Sequence, residues 1–457
     1  MGRLKTNTKA GQANLKTEYG YNVRSWTTSI LNNTYYKQWI HYQKNATNGQ
    51  GYYNGNIAGI SYQYLKESTS LTRLYNYTYD NLSRLKKADY GENNNVTGRF
   101  NEHLTYDKHG NILTLIRRGN ATVAGSPVVD NLTLTYNGNQ LKKMTDIATA
   151  TGVTGSMDAR DFVNKNVEYT FNANGAMTQD LNKGISNIEY NSLNLPKLVD
   201  IKHSEAEGRN EYTYSASGMK LKTVKKWNPD YLTSPLIGSA VNINSLTKTE
   251  TTDYIGNIIY EARSNGTSKT MILIDGGYIE NGAYHFYIQD HLGNNRVVVN
   301  ASNGVMVQNS QYYPFGSITA PETGEEVQPF KFGGKELDKM HGLNLYDFSA
   351  RYYDSGLPRF TTVDPHAENY YSWSPYVYCG NNPMRITDPT GEDWVDFLLG
   401  IGKGIEQRAK EIENVVSTLA HEGPLAVGQL MAPTSATDAL VKAGDFVTLG
   451  AVSANVD

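Results

Sequence analysis

The chain has 457 residues, more than one hydrophobic core normally serves, and its net charge of -3 leaves no basic excess of the kind a nucleic-acid binder carries. Its single cysteine, Cys379, excludes a disulfide framework and reads as a small half-buried side chain. No apolar run reaches the roughly 18 residues needed to span a membrane, and no signal peptide is visible at the N-terminus.

Tyrosine outnumbers phenylalanine 34 to 11, and 42 glycines are spread along the chain. Tyrosine suits half-buried strands, where the ring packs on the pleated face and the hydroxyl reaches a polar group. Residues 1–70 fit that pattern: Ile60 to Tyr64 alternates apolar and polar, as a strand with one covered face does. From 71 a repeat becomes legible. Tyr77-Thr-Tyr-Asp80 is followed by Leu104-Thr-Tyr-Asp107, Leu134-Thr-Tyr-Asn137, Tyr169-Thr-Phe-Asn172, Ile188-Glu-Tyr-Asn191 and Tyr212-Thr-Tyr-Ser215. The six copies lie 19 to 35 residues apart. In each, a strand runs into Asp, Asn or Ser, a turn of Gly, Asn or Ser follows, and an apolar residue opens a second strand. That is one β-hairpin per repeat in a stacked β array, with the Asp capping its own turn rather than acting as a catalyst. His109 sits inside such a turn and reads as solvent-exposed.

Residues 227–275 are irregular. Beyond them come Tyr284-His-Phe-Tyr-Ile-Gln-Asp-His-Leu-Gly-Asn-Asn-Arg296, Tyr312-Tyr-Pro-Phe-Gly316 and Phe332-Gly-Gly-Lys-Glu-Leu-Asp338. Asp290-His291 could hold a metal or act as a base, but strand neighbours point to opposite faces, so the structural reading is preferred. Next follow Arg351-Tyr352-Tyr353-Asp354, Arg359-Phe360, Asp364-Pro365, Asn381-Asn382-Pro383 and Asp388-Pro389-Thr-Gly391, all within 41 residues. In this order the motifs resemble the core of the Rhs/YD-repeat proteins, polymorphic bacterial toxins. The resemblance runs over 71–391 and is densest from 284.

The resemblance implies a mainly β fold: a YD-repeat hairpin array spiralling into a hollow shell, closed by an Rhs core plug, with a small α-helical C-terminal module. The expected domains are a β-rich start (1–70), degenerate YD repeats (71–283), an Rhs core (284–391) and a variable tail (392–457). It also implies a core aspartyl autoprotease, whose chemistry needs two carboxylates able to share a proton. Asp364 matches one family aspartate. The interval 366–380, where a second is expected, holds only Glu368; Glu392 stands where the cleavage leucine would be, and Val363 where an arginine is frequent. Asp388 is the remaining candidate. The purely structural alternative pairs Arg351 and Arg359 with Asp354 or Asp364, while Asp-Pro and Asn-Pro start turns.

In the tail, Leu398, Ile401, Ile405, Ala409, Ile412, Val416 and Leu419 recur at helical spacing, and Gly423-Pro424 ends the run. No nuclease, deaminase or protease constellation stands among the 66 residues after Gly391. The functional expectation is a shell or scaffold that encapsulates and presents a C-terminal toxin tip in interbacterial competition, secreted or delivered to a target cell. The alternatives are autocleavage by the core and a cell-surface adhesion or carbohydrate-binding array. No cofactor or metal is expected. Expected partners are an immunity protein or chaperone for the tail, and a further shell chain or self-association; the chain reads as a fragment-length form or one part of a multi-chain assembly.

Overall fold

Asp107 shows how one repeat closes. Its backbone N–H donates to the carbonyl of Asn111, and the Gly110 N–H returns to the Asp107 carbonyl. Its carboxylate Oδ1 accepts the N–H groups of His109 and Asn111. The same bonds recur at Asp80, Asn172, Asn191 and Asp290, and Ser215 Oγ accepts from Met219 N. One acceptor oxygen two atoms from the backbone suffices, so Asp gives way to Asn without loss of the turn. The fourth turn residue has positive φ, 63° at Ser83, 83° at Gly110 and 60° at Asn194, a conformation that favours Gly and Asn. The Asn137 copy is shorter, a two-residue turn pairing Asn137 with Gln140.

The tyrosine before each cap ties one hairpin to the preceding one. Tyr79, Tyr106, Tyr136 and Tyr190 donate their hydroxyls to the carbonyls of Ile57, Leu85, Ile112 and Met177. Leu85, Ile112 and Met177 each open the second strand of a repeat. A phenylalanine supplies the ring but not this bond, as at Phe171, and the Tyr214 hydroxyl of the Ser215 copy does not make it either.

The computed structural model describes residues 3–396, apart from 48, 68–70, 121–126, 151–158, 160, 232–236 and 325–327. Among them, the strands from Thr6 to Asp146 form one twelve-stranded sheet and those from Tyr169 to Thr323 a fourteen-stranded sheet. Neighbours are antiparallel and follow chain order, except that the short strand Asn95–Val96 lies off the path. The second sheet takes up where the first ends: Glu168 N donates to Lys142 O, and Glu168 Oε2 accepts from Met144 N. Its far end lies against the first sheet's beginning. Lys9 Nζ donates to the carbonyls of Gly276 and Tyr287, Tyr35 to that of Gly304, and Tyr64 to that of Ser310.

Residues 328–391 fill the space between. Strands Glu336–Asp338, Leu345–Asp347, Tyr352–Asp354 and Arg359–Phe360 make a four-stranded sheet. Phe332, Tyr346, Tyr353, Phe360 and Tyr378 share one buried cluster with Ile60 and Leu132 of the first sheet and Ile201 and Val297 of the second. Arg117, fully buried between Glu102 and Asp130, reaches from the first sheet to the carbonyls of Ser355 and Gly356. Lys183, His203 and Lys225 of the second sheet bind Leu343 O, His341 O and Asp338. The mainly β expectation holds. The expected tail helices fall, from residue 397 on, outside the described residues.

Candidate functional site

The plug is arranged around the Arg351 side chain, which has no exposed surface. Its guanidinium carbon lies 3.6 Å from the centroid of the Phe360 ring, a cation–π contact on one face. The donors fan out around the edge. Nη2 lies 2.8 Å from Asp364 Oδ2 and 3.1 Å from Asp388 Oδ2. Nη1 donates to Pro375 O, and Nε donates to Gly391 O. The two candidate aspartates, 24 positions apart in the chain, thus share one nitrogen.

Local structure aims each carboxylate. Asp364 Oδ1 accepts from His366 N, so the Asp-Pro turn caps itself. Asp388 Oδ1 accepts from Gly391 N at 2.7 Å and Glu392 N at 3.2 Å. Gly391 has φ of 79°, and a Cβ there would lie 3.0 Å from Phe348 O, so the turn needs glycine. Ala350 N binds Thr390 O, and Lys335 Nζ binds Pro389 O. All three carbonyls from Pro389 to Gly391 are therefore held by donors from 335–351.

Burial dominates the electrostatics. It raises the Asp388 carboxyl to about 6, with Arg351 and the Gly391 N–H pulling the other way and Asp364 adding to the rise. Burial also raises Asp364, against the pull of Arg351. Burial lowers Arg351 despite both carboxylates, and lowers Lys335 to about 8. Two carboxyls thus flank one cation, one of them able to carry a proton near neutrality, beside a peptide carbonyl already bound to that cation. This set can donate and accept protons at the Gly391 junction. Among the described residues no group of three or more His, Cys, Asp or Glu could hold a metal ion.

The other motif residues serve packing. Tyr353 donates to Phe315 O and sits among Phe332, Phe348, Phe360 and Tyr378. Tyr352 packs on Tyr212. Asn381 Nδ2 binds Gly110 O and Asn382 Nδ2 binds Asn56 Oδ1, fixing the Asn-Asn-Pro turn to the first sheet. Pro383 is buried, whereas Pro365 and Pro389 are exposed.

Of the two expected arginine pairings, Arg351 reaches Asp364. Arg359 does not follow the expectation: it lies over Tyr376 and Tyr136 and donates to Asn139 O. Asp354 stands opposite Arg359 on the ladder but turns to Lys183 at 3.3 Å and to Gly356 N. Val363 packs beside the Gly175 turn of the second sheet. Asp290 and His291 lie in a turn rather than a strand, and they point to separate partners, Arg296 and the Met384 carbonyl. Cys379 is fully buried rather than half-buried. Sequence reasoning missed Lys335; it stands inside the quoted Phe332–Asp338 stretch, where a lone lysine carries no signal of its partner.

No protein-family profile matches the chain. It is 28% identical over 244 residues to Salivary gland surface protein 1 of Aedes aegypti, a match covering 50% of this chain and 7% of that protein. It is 26% identical over 265 residues to the tRNA3(Ser)-specific nuclease WapA of Bacillus spizizenii, covering 52% of this chain and 11% of that protein. The chain thus spans a small part of these relatives. Among solved structures, that of TcdB2-TccC3-TEV superposes with a TM-score of 0.51 at 19% identity, over 82% of this chain and 19% of that one. The open antiparallel β fold is shared with that structure, and the sequence is related at low identity to a tRNA-specific nuclease.

Proposed function

We propose that the chain is an Rhs/YD-repeat segment of a toxin shell, a scaffold whose plug closes the β band and presents the residues after Gly391 as cargo. One observation carries this reading. The band returns to its own start, at Lys9–Gly276 and Tyr64–Ser310, around a plug into which the chain's later part is threaded. We take this as a turn of a spiral wall that a further shell chain or a second copy would extend. The relationship to WapA and the shared fold with TcdB2-TccC3 support a toxin context, in which delivery to a target cell, interbacterial competition and an immunity protein or chaperone for the tail are part of the same proposal. No helix among the described residues is long and apolar enough to cross a membrane. Brief trypsin treatment of the native chain tests it. The tail sites Lys403, Arg408 and Lys410 should resist cutting until the band is unfolded; immediate loss of the tail would refute encapsulation.

The Arg351 geometry favours a second reading, self-cleavage at the Gly391 junction. Asp364 and Asp388 are together, and the Gly391 carbonyl is already bound to a cation. In that reading Asp388, protonated below about 6, donates to the carbonyl while Asp364 takes the role of activating water. Intact-mass measurement decides it: a split near 391–393 that Asp364→Asn abolishes supports cleavage, and an unbroken chain after long incubation at pH 5 to 6 removes it.

A further inference from the structure

The chain does not leave the plug at Gly391. Asp393 Oδ1 lies 3.1 Å from His366 Nδ1. The Trp394 indole stacks on Tyr370 with ring centroids 4.6 Å apart and planes inclined by 21°. It also meets Trp373 edge-on at 5.9 Å. Gly380 closes the third side; its φ is 55°, and a Cβ there would approach the indole to 3.2 Å. Val395–Asp396 then pairs with Ile386–Thr387.

The wall of this recess has anchors on the first sheet besides its link to Arg351 through Pro375 O. A Cβ on Gly110 would lie 2.9 Å from the Trp373 ring, so Trp373 is seated on the Asp107 turn of the first sheet. Ser374 N binds His109 O in the same turn. Arg385, next to the pairing strand, donates to Asn54 O. There are therefore two holds on the junction, linked where Arg351 Nη1 donates to Pro375 O behind the wall. Arg351 and Asp388 grip Gly391, and the aromatic recess grips Trp394. The peptide bond between Gly391 and Glu392 lies between them. Offset and edge-on aromatic pairs add attraction beyond the area they bury, and the glycine wall leaves room for the half-buried indole.

We propose that Tyr370, Trp373 and Gly380 form a socket that retains the head of the tail through Trp394 without a covalent link, so that a chain broken after Gly391 stays seated. The proposal rests on the reading of the tail as presented cargo, and not on the chain cutting itself. Its consequence is that tail departure is governed by this socket rather than by backbone scission.

The test uses the full chain with a site-specific protease sequence inserted between Gly391 and Glu392, cut after folding. Size-exclusion chromatography with intact-mass detection then follows the tail fragment. It should stay with the body in the parent and depart roughly tenfold faster or more in Trp394→Ala and Trp373→Ala. Trp394→Ala alters the tail side and Trp373→Ala the wall, and an unchanged thermal midpoint of the uncut variants shows that the body is folded. Equal retention in parent and variants overturns the socket while leaving encapsulation standing. Immediate loss from all three overturns both.

Discussion

The band and the plug are both β structure, but they are held by different means. In the band, the information is local and repeated. One side-chain oxygen caps each turn and one tyrosine hydroxyl reaches the preceding hairpin, so Asp can become Asn172 or Asn191, and Tyr can become Phe171, with a limited penalty. In the plug each contact is made once, and charges lie out of water, as Arg351 does with Asp364 and Asp388; Arg117, Glu102 and Asp130 of the first sheet form a second buried set where the band meets the plug. A buried charge that loses its partner is far more costly than a lost turn bond. Redundancy lets the band drift in sequence; the plug cannot.

The largest effect that sharpens this contrast is expected at Arg351. Arg351→Met strands two buried carboxyls and frees the Gly391 carbonyl, and should lower unfolding free energy by about 3–5 kcal/mol in urea titration. A loss below about 1 kcal/mol would place Arg351 on a par with an exposed pair and erase the distinction. In the band, Asp107→Ala removes three hydrogen bonds from one turn, those of His109 N, Asn111 N and Asn111 Nδ2, and should cost about 1–2 kcal/mol, whereas Asp107→Asn keeps the two backbone bonds, loses only the one to Asn111 Nδ2, and should cost less. If Asp107→Ala cost as much as Arg351→Met, the band would not be redundant.

A pH dependence is expected at the seam of the two regions. Asp180 accepts from Asn182 N and Lys183 N, and burial raises its carboxyl to about 7, with Asp354 adding and Lys183 opposing. Because the folded value lies above the unfolded one, the protonated form favours folding. That share is complete below the ordinary carboxylate range and is lost as pH rises through about 7. Asp180→Asn should therefore match the parent near pH 4 and gain on it toward pH 8, as denaturation midpoints will read. Glu102, raised by burial to about 7, acts with the same sign.

The band was open to sequence reading because its determinants sit within a few residues of one another. A Tyr-Asp followed by a turn residue and an apolar residue specifies a hairpin, and the hairpins at Tyr79, Tyr106 and Tyr190 form with the expected pairing. The division into two sheets after Asp146 has no local mark in the repeat. The site was half visible. Asp364 and Asp388 could be picked out, but the second carboxylate was sought in 366–380, and only the fold reveals that Arg351 bridges the pair. The same interval supplies aromatic walls for Trp394 instead, a relation that spacing alone does not encode.

Hydrogen exchange read by mass spectrometry on the full native chain tests the account's centre most directly. If the plug is the common support of both sheets, amides of 345–364 and 376–388 will exchange as slowly as the slowest band strands, and Arg351→Met will speed exchange in both sheets together. Plug amides that exchange well before either sheet, with the sheets indifferent to Arg351→Met, would contradict it.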